Sequence, residues 1–206
     1  MLKIYGRRNS GNVQKVLWCA DEIGLTYEQI DRGGTFGGNK EPAFLAMNPN
    51  GVVPVIDDDG FILWESNAIV RYLAAKHSAG TLSPADPARR ADGDRWMDWA
   101  TTTLVIPVNQ VFAGWVRTPP EKRDPVAIEA ARLKAEAAWR IADARLARTA
   151  WLGGDTFTMG DIPVGVFAYR WFNLTIERSP LPNLQRYYEA LTKRPAYQKH
   201  IMLPLS

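Results

Sequence analysis

Hydrophobic and polar positions along this chain change rhythm near residue 77. Before it, short apolar, β-rich runs alternate with helical periodicity; after it only the helical period persists. Leu2–Tyr5 reads as a strand, and Val13, Val16, Leu17, Ala20 and Ile23 mark one face of a helix that stops at Gly24. A second strand is predicted over residues 27–31, a loop over the Gly-rich residues 33–38, and a short helix over Pro42–Met47. Residues 53–56 and 61–64 form a predicted hairpin around the turn signal Asp57-Asp58-Asp59-Gly60. Ser66 then stands directly before residues 67–76, where Ala68, Ile69, Tyr72 and Leu73 keep helical spacing, so it reads as an N-cap.

Residues 78–88, with Ser78, Gly80, Ser83, Pro84 and Pro87, lack periodicity and read as a linker. They divide the chain into an N-terminal domain, 1–77, and an all-helical domain, 89–206. In the second, a helix is predicted over 89–116, kinked or broken at Pro107, followed by an Ala-rich helix over 125–149. The run Phe157-Thr158-Met159-Gly160-Asp161-Ile162 has capping-box spacing: Thr158 caps the next helix, Asp161 answers to the Thr158 N–H, and Phe157 and Ile162 occupy staple positions. That is a folding role. Strand–helix–strand followed by a hairpin and a helix is the thioredoxin-like order, giving an α/β domain ahead of an all-α one.

Composition removes several function classes. At 206 residues with 46% apolar and 23% charged content, the chain can bury a sizeable core. The net charge of +3 is spread over pairs such as Arg7-Arg8, Arg89-Arg90 and Lys122-Arg123, not a basic stripe, so nucleic-acid binding is not expected. One cysteine and two histidines give neither a disulfide nor a metal cluster. No apolar run reaches membrane-spanning length and the N-terminus reads as a strand, so the expected setting is cytoplasmic, with no membrane partner.

The chemistry concentrates around Val53-Pro54 and Glu65-Ser66. A helix N-terminus at Ser66 offers free N–H groups beside a positive dipole end, which suits a carboxylate. Pro54 cannot join a sheet ladder, so it belongs at an edge or in the cis form, leaving Val53 free to pair with an extended peptide. The Gly-rich loop lacks the Lys-Ser/Thr of a phosphate loop. Cys19 sits mid-helix, away from any helix N-terminus, and reads as a small buried thiol.

Val-Pro, a hairpin, then Glu-Ser and a helix resembles the glutathione-binding half of soluble glutathione S-transferases, and the likeness covers nearly the whole chain. It is similar above all to bacterial theta-, delta- and nu-like enzymes. The resemblance implies the glutathione transferase fold, a thioredoxin-like α/β N-terminal domain plus an all-α C-terminal domain, and a homodimer. It implies glutathione as co-substrate, with no metal or other cofactor. Ser10 falls where the delta- and theta-like families carry a catalytic serine, and Asn12 where nu-like enzymes carry a functional asparagine; which of the two dominates stays open. By the same resemblance Glu65 meets the γ-glutamyl ammonium, Ser66 the γ-glutamyl carboxylate, and Val53, fixed by Pro54, the cysteinyl backbone. Relatives often place Lys or Arg just before Val-Pro, where this chain has Val52, so Lys40 becomes the candidate for the glycine carboxylate. Phe36, Phe112 and Trp115 are the candidates lining a pocket for a small, largely apolar electrophile. A glutathione-dependent disulfide reductase or peroxidase, and a non-catalytic binding protein on the same fold, are the alternatives.

Overall fold

The computed structural model describes residues 1–206. Leu2–Tyr5 (β1), Tyr27–Ile30 (β2), Val55–Asp58 (β3) and Phe61–Trp64 (β4) make one sheet in the order β2-β1-β3-β4. β1 and β2 are parallel, and the other two pairings are antiparallel. A parallel pair needs a crossover, supplied here by helix α1 (Gly11–Glu22). After β2 come a short 3-10 turn, Gly34–Phe36, and α2 (Pro42–Met47); α3 (Ser66–His77) follows β4. α1 and α3 pack together over the buried sheet residues Leu2, Ile4 and Ile56.

The rest is helical: α4 (Pro87–Trp99), α5 (Val105–Phe112), α6 (Pro125–Leu146), α7 (Asp161–Asn173), α8 (Pro182–Thr192) and α9 (Pro195–His200). α4 begins at Pro87, inside the segment read as linker. Proline suits a first helical position, and the Asp86 carboxylate caps the turn by accepting from Arg89 N–H at 2.8 Å. Pro107 does not break its helix. A wide π turn, Ala100–Leu104, precedes it and takes in residue 103, whose carbonyl the proline ring would otherwise meet. No helix is long and apolar enough to cross a membrane.

The two domains share one core across α1. Trp18, fully buried, packs edge-on to Tyr197 of α9 with centroids 4.9 Å apart. Gly165 of α7 leaves room for it: a Cβ there would lie 2.7 Å from the indole ring. Tyr197 closes this seam by donating its hydroxyl to the Gly165 carbonyl at 2.9 Å. On the other side, Asn67 of α3 donates to the Met97 carbonyl (2.9 Å) and the Thr101 hydroxyl (3.0 Å), and Arg71 pairs with Asp94 (2.6 Å) and Asp98.

At the start of α7 the Asp161 carboxylate is fully buried and accepts from Thr158 N–H (2.9 Å) and Leu152 N–H (2.8 Å). Asp161 thus answers as expected, but the Thr158 half of the box is altered, because its hydroxyl accepts from Gly160 N–H at 3.3 Å instead of from Asp161 N–H. Phe157 packs on Trp18 and Trp151, joining α1 to this corner. Burial pushes the Asp161 carboxyl up to about 6 against the two amides that favour its anion. Asp161→Ala strands two buried N–H groups and is expected to cost about 3 kcal/mol in urea unfolding at pH 7.5. A carboxyl that titrates higher in the fold than the roughly 3.9 of an unfolded chain adds stability as pH falls through about 6 toward 4. The penalty should therefore widen, by about 1–2 kcal/mol, at pH 4.5. An equal or smaller penalty at the lower pH contradicts this account.

Candidate active site

Three stretches of the N-terminal domain converge beside the helical domain: the end of β4, the segment before β3, and the loop from β1 into α1. At the first, the chain turns from Trp64 into α3 through Glu65, held at φ 70° and ψ 110°. A non-glycine residue in that region is strained, and the strain sits where a ligand-holding acid is expected. This corrects the N-cap assignment. Glu65 occupies the cap, and Ser66 is the first helical residue, because the left-handed turn completes the corner one residue early. The N–H groups of Ser66, Asn67 and Ala68 donate to nothing in the protein; the first ladder bond is Ile69 N–H to the Glu65 carbonyl at 2.9 Å. The dipole end is thus open to an anion.

Behind it lies Lys15 of α1, only 3% exposed. Its ammonium donates to Asn12 Oδ1 (3.0 Å) and, more weakly, to Ser66 Oγ (3.4 Å), and no carboxylate pairs with it. Burial pulls the Lys15 ammonium down to about 8; Glu65 opposes that shift and Arg170 adds to it. Sequence reading missed this residue. Its one signal was a charge set among Val13, Val16 and Leu17 in a helix buried on most sides.

Before β3 the Val53-Pro54 bond is cis, and the Val53 N–H and C=O make no hydrogen bond within the protein. Asn48 fixes this segment, donating from its amide to the Val52 carbonyl at 2.8 Å. Asn39 reaches the Gly51 carbonyl at 2.7 Å and the exposed Lys40 ammonium the Asn50 carbonyl at 3.3 Å, so the Lys40 loop flanks Val53.

At the mouth of α1, Ser10 is the N-cap by backbone geometry, yet its hydroxyl makes no capping bond. It opens onto a cleft of about 270 Å³ between the domains, whose walls include Arg7, Asn12, Phe112, Phe167 and Arg170. Gly11 lets the two domains meet here: a Cβ on it would lie 2.8 Å from the Arg170 guanidinium. Of the residues expected around a second substrate, Phe112 lines this cleft and Trp115 does not. The π turn Ala113–Arg117 shifts the register, so Arg117 faces the cleft while Trp115 lines a separate one, of about 500 Å³, with Arg123 over its ring. Phe36, 58% exposed at the tip of its 3-10 turn, also lies outside the walls of the Ser10 cleft. Cys19 is fully buried, with burial pushing its thiol up, far from any use as a nucleophile.

The family model described as "Glutathione S-transferase, N-terminal domain" matches residues 1–75, and the one described as "Glutathione S-transferase, C-terminal domain" matches residues 125–190. Across its full length the chain is 50% identical to glutathione S-transferase GstB of Escherichia coli K12, covering 100% of both proteins. It is 32% identical to glutathione S-transferase F13 of Arabidopsis thaliana, over 96% of this chain and 94% of that one. A theta-class glutathione S-transferase from Xanthomonas axonopodis pv. citri, solved with glutathione bound, superposes with a TM-score of 0.96 at 52% identity, over 100% of this chain and 99% of that one. With both domain models matched in order and half the residues shared end to end with a bacterial enzyme, the chain belongs to the glutathione S-transferase family.

Proposed function

We propose that the enzyme binds glutathione across the three converging stretches and transfers its thiolate to an electrophilic carbon in the Ser10 cleft. The observation that carries this reading is the unengaged Ser10 hydroxyl, at a helix N-terminus and on the wall of an interdomain cleft. Glu65 accepts from the γ-glutamyl ammonium, and the free N–H groups at Ser66 take the γ-glutamyl carboxylate. The unpaired Val53 N–H and C=O add the cysteinyl unit as an extra strand, and Lys40 or Asn39 meets the glycine carboxylate. The glutathione found in the Xanthomonas relative supports occupancy of this half of the fold.

A free thiol of pKa about 8.5 is only a few per cent ionised at neutral pH. Ser10 O–H aimed at sulfur, together with the α1 dipole, favours the thiolate by a charge-assisted bond. Lys15 acts on both sides: it holds the Asn12 side chain at the mouth of α1 and places positive charge behind the Ser66 carboxylate site. Attack forms the carbon–sulfur bond, the leaving group departs with the electron pair, and the thiol proton goes to solvent. By family resemblance the enzyme works as a cytoplasmic homodimer, and whether Ser10 or Asn12 gives the larger share is decided by paired variants.

Ultraviolet titration of bound glutathione should place its thiol about two units below the free value, roughly 2.7 kcal/mol of differential stabilisation. Ser10→Ala should return it by at least about one unit and lower kcat by about 10–100-fold, leaving KM for glutathione within about threefold. A thiol that stays depressed in Ser10→Ala but returns toward the free value in Asn12→Ala assigns the role to Asn12 instead.

Lys15→Met removes a buried charge that lacks a carboxylate while keeping most of its volume. The variant should unfold about 1–2 kcal/mol harder at pH 7, and its KM for glutathione should rise by about tenfold. A lysine that titrates lower in the fold than its unfolded value near 10.4 costs stability below about pH 8 and stops costing it as pH climbs to 10. The gain should shrink over that range. A destabilised Lys15→Met, or one with unchanged glutathione KM, refutes the role.

A further inference from the structure

The Ser10 cleft carries three guanidinium groups and no carboxylate on its walls. Arg170 is 8% exposed and donates only to Asn109 Oδ1, at 2.7 Å. Arg117 donates at 3.1 Å to a main-chain oxygen of Ser206, the last residue of the sequence, so of the three it is the one with a main-chain partner of its own, whereas Arg7, resting on Gly34 of the Gly-rich loop, makes no side-chain hydrogen bond and no ion pair. Phe112 lies between two of them, its ring centroid 4.5 Å from the Arg170 carbon and 4.9 Å from that of Arg117. Such contacts fix guanidinium planes without neutralising their charge. Several donor positions are therefore left over, aimed into a space sized for a small molecule next to the proposed sulfur position. An uncharged, apolar second substrate would leave the charges of Arg7 and Arg170 unmatched.

We propose that the second substrate is an anionic electrophile, a small molecule whose carboxylate is held by Arg7, Arg117 and Arg170 while its electrophilic carbon faces Ser10. The proposal rests on the transferase reading of the cleft. Planar forks that accept a carboxylate through paired N–H bonds suit this task better than an ammonium. Two of the guanidiniums are also disfavoured by their surroundings: burial and the charges of Arg117 and Arg7 pull Arg170 down to about 10, and burial and Arg7 lower Arg117. A bound carboxylate relieves that repulsion. The carboxylates of glutathione are placed elsewhere, at Ser66 and beside Lys40, so the arginines are not needed for them.

The test compares chlorodinitrobenzoate with its uncharged carboxamide, each rate divided by its uncatalysed rate with glutathione. The thiolate displaces chloride from the ring carbon in both, so only the remote charge differs. The carboxylate should be favoured by at least about tenfold in kcat/KM. Arg117→Gln and Arg7→Gln should each remove about tenfold of that for the carboxylate and less than about twofold for the carboxamide, with KM for glutathione unchanged. Equal normalised rates, or equal losses on both substrates, overturn the proposal; a rise in glutathione KM assigns the arginines to glutathione and overturns it too. Calorimetric binding of unreactive dinitrobenzoate to the glutathione-loaded protein separates the two readings. Binding that is lost in Arg117→Gln keeps the anion site even where no conjugation is seen. Absence of binding sinks it even where the carboxamide is conjugated.

Discussion

Trp18 is the packing constraint on which the rest of the molecule depends. Its indole fills the seam between the two domains, against Gly165 on α7 and Tyr197 on α9, and donates to Glu22 at 3.0 Å, which in turn pairs with Arg194. A tightly packed aromatic allows little sliding, because interiors respond to displacement with clashes or voids. α1 is therefore registered against α7 at two points, Trp18 on Gly165 and Gly11 on Arg170. The second contact lies at the helix N-terminus, so the packing of the seam also fixes the distance between Ser10 and the helical domain. Glycine is required on α1 at one contact and on α7 at the other, each time for space.

With that register set, the site collects positive charge that the fold does not neutralise. Lys15 and Arg170 are both more than nine-tenths buried, and neither pairs with a carboxylate. Desolvating a cation without an anionic partner costs several kcal/mol of effective stability, so this is not how a fold-stabilising pair is built. Elsewhere the protein does build such pairs. Glu136, nearly buried, is held down to about 2 by Ser179 and by arginines on its own helix. The contrast within one chain supports the proposal that the α1 mouth receives anions from outside.

How much of this was legible in the sequence follows the range of each signal. The strand order, the hairpin and the Val-Pro to Glu-Ser segment are local patterns, and residues 53–66 could be read as a unit before any folding argument. The cap at Glu65 could not, because a left-handed glutamate is set by how β4 delivers the chain into α3, and serine is the commoner cap. Trp115 went astray because two π turns shift the register of the α4–α5 helical path, which a constant 3.6 period cannot anticipate. Arg170 carried no signal at all. Its neighbours in α7 are apolar, and its meaning comes from Gly11, on another domain far away in sequence.

Two anions must come together for the reaction proposed here, a thiolate and a substrate carboxylate, and in water their repulsion would oppose the encounter. A low-dielectric cleft makes that repulsion worse unless fixed positive charge is already in place. Arg170 and Lys15 supply it from inside the fold, where it needs no reorganisation when the reactants arrive, and Arg117 and Arg7 supply it from the rim. The uncompensated cations are then two uses of one field. On the proposed reading, the charge that favours the thiolate at Ser10 also selects what the thiolate attacks, and the stability given up in burying it is returned only when both ligands are bound.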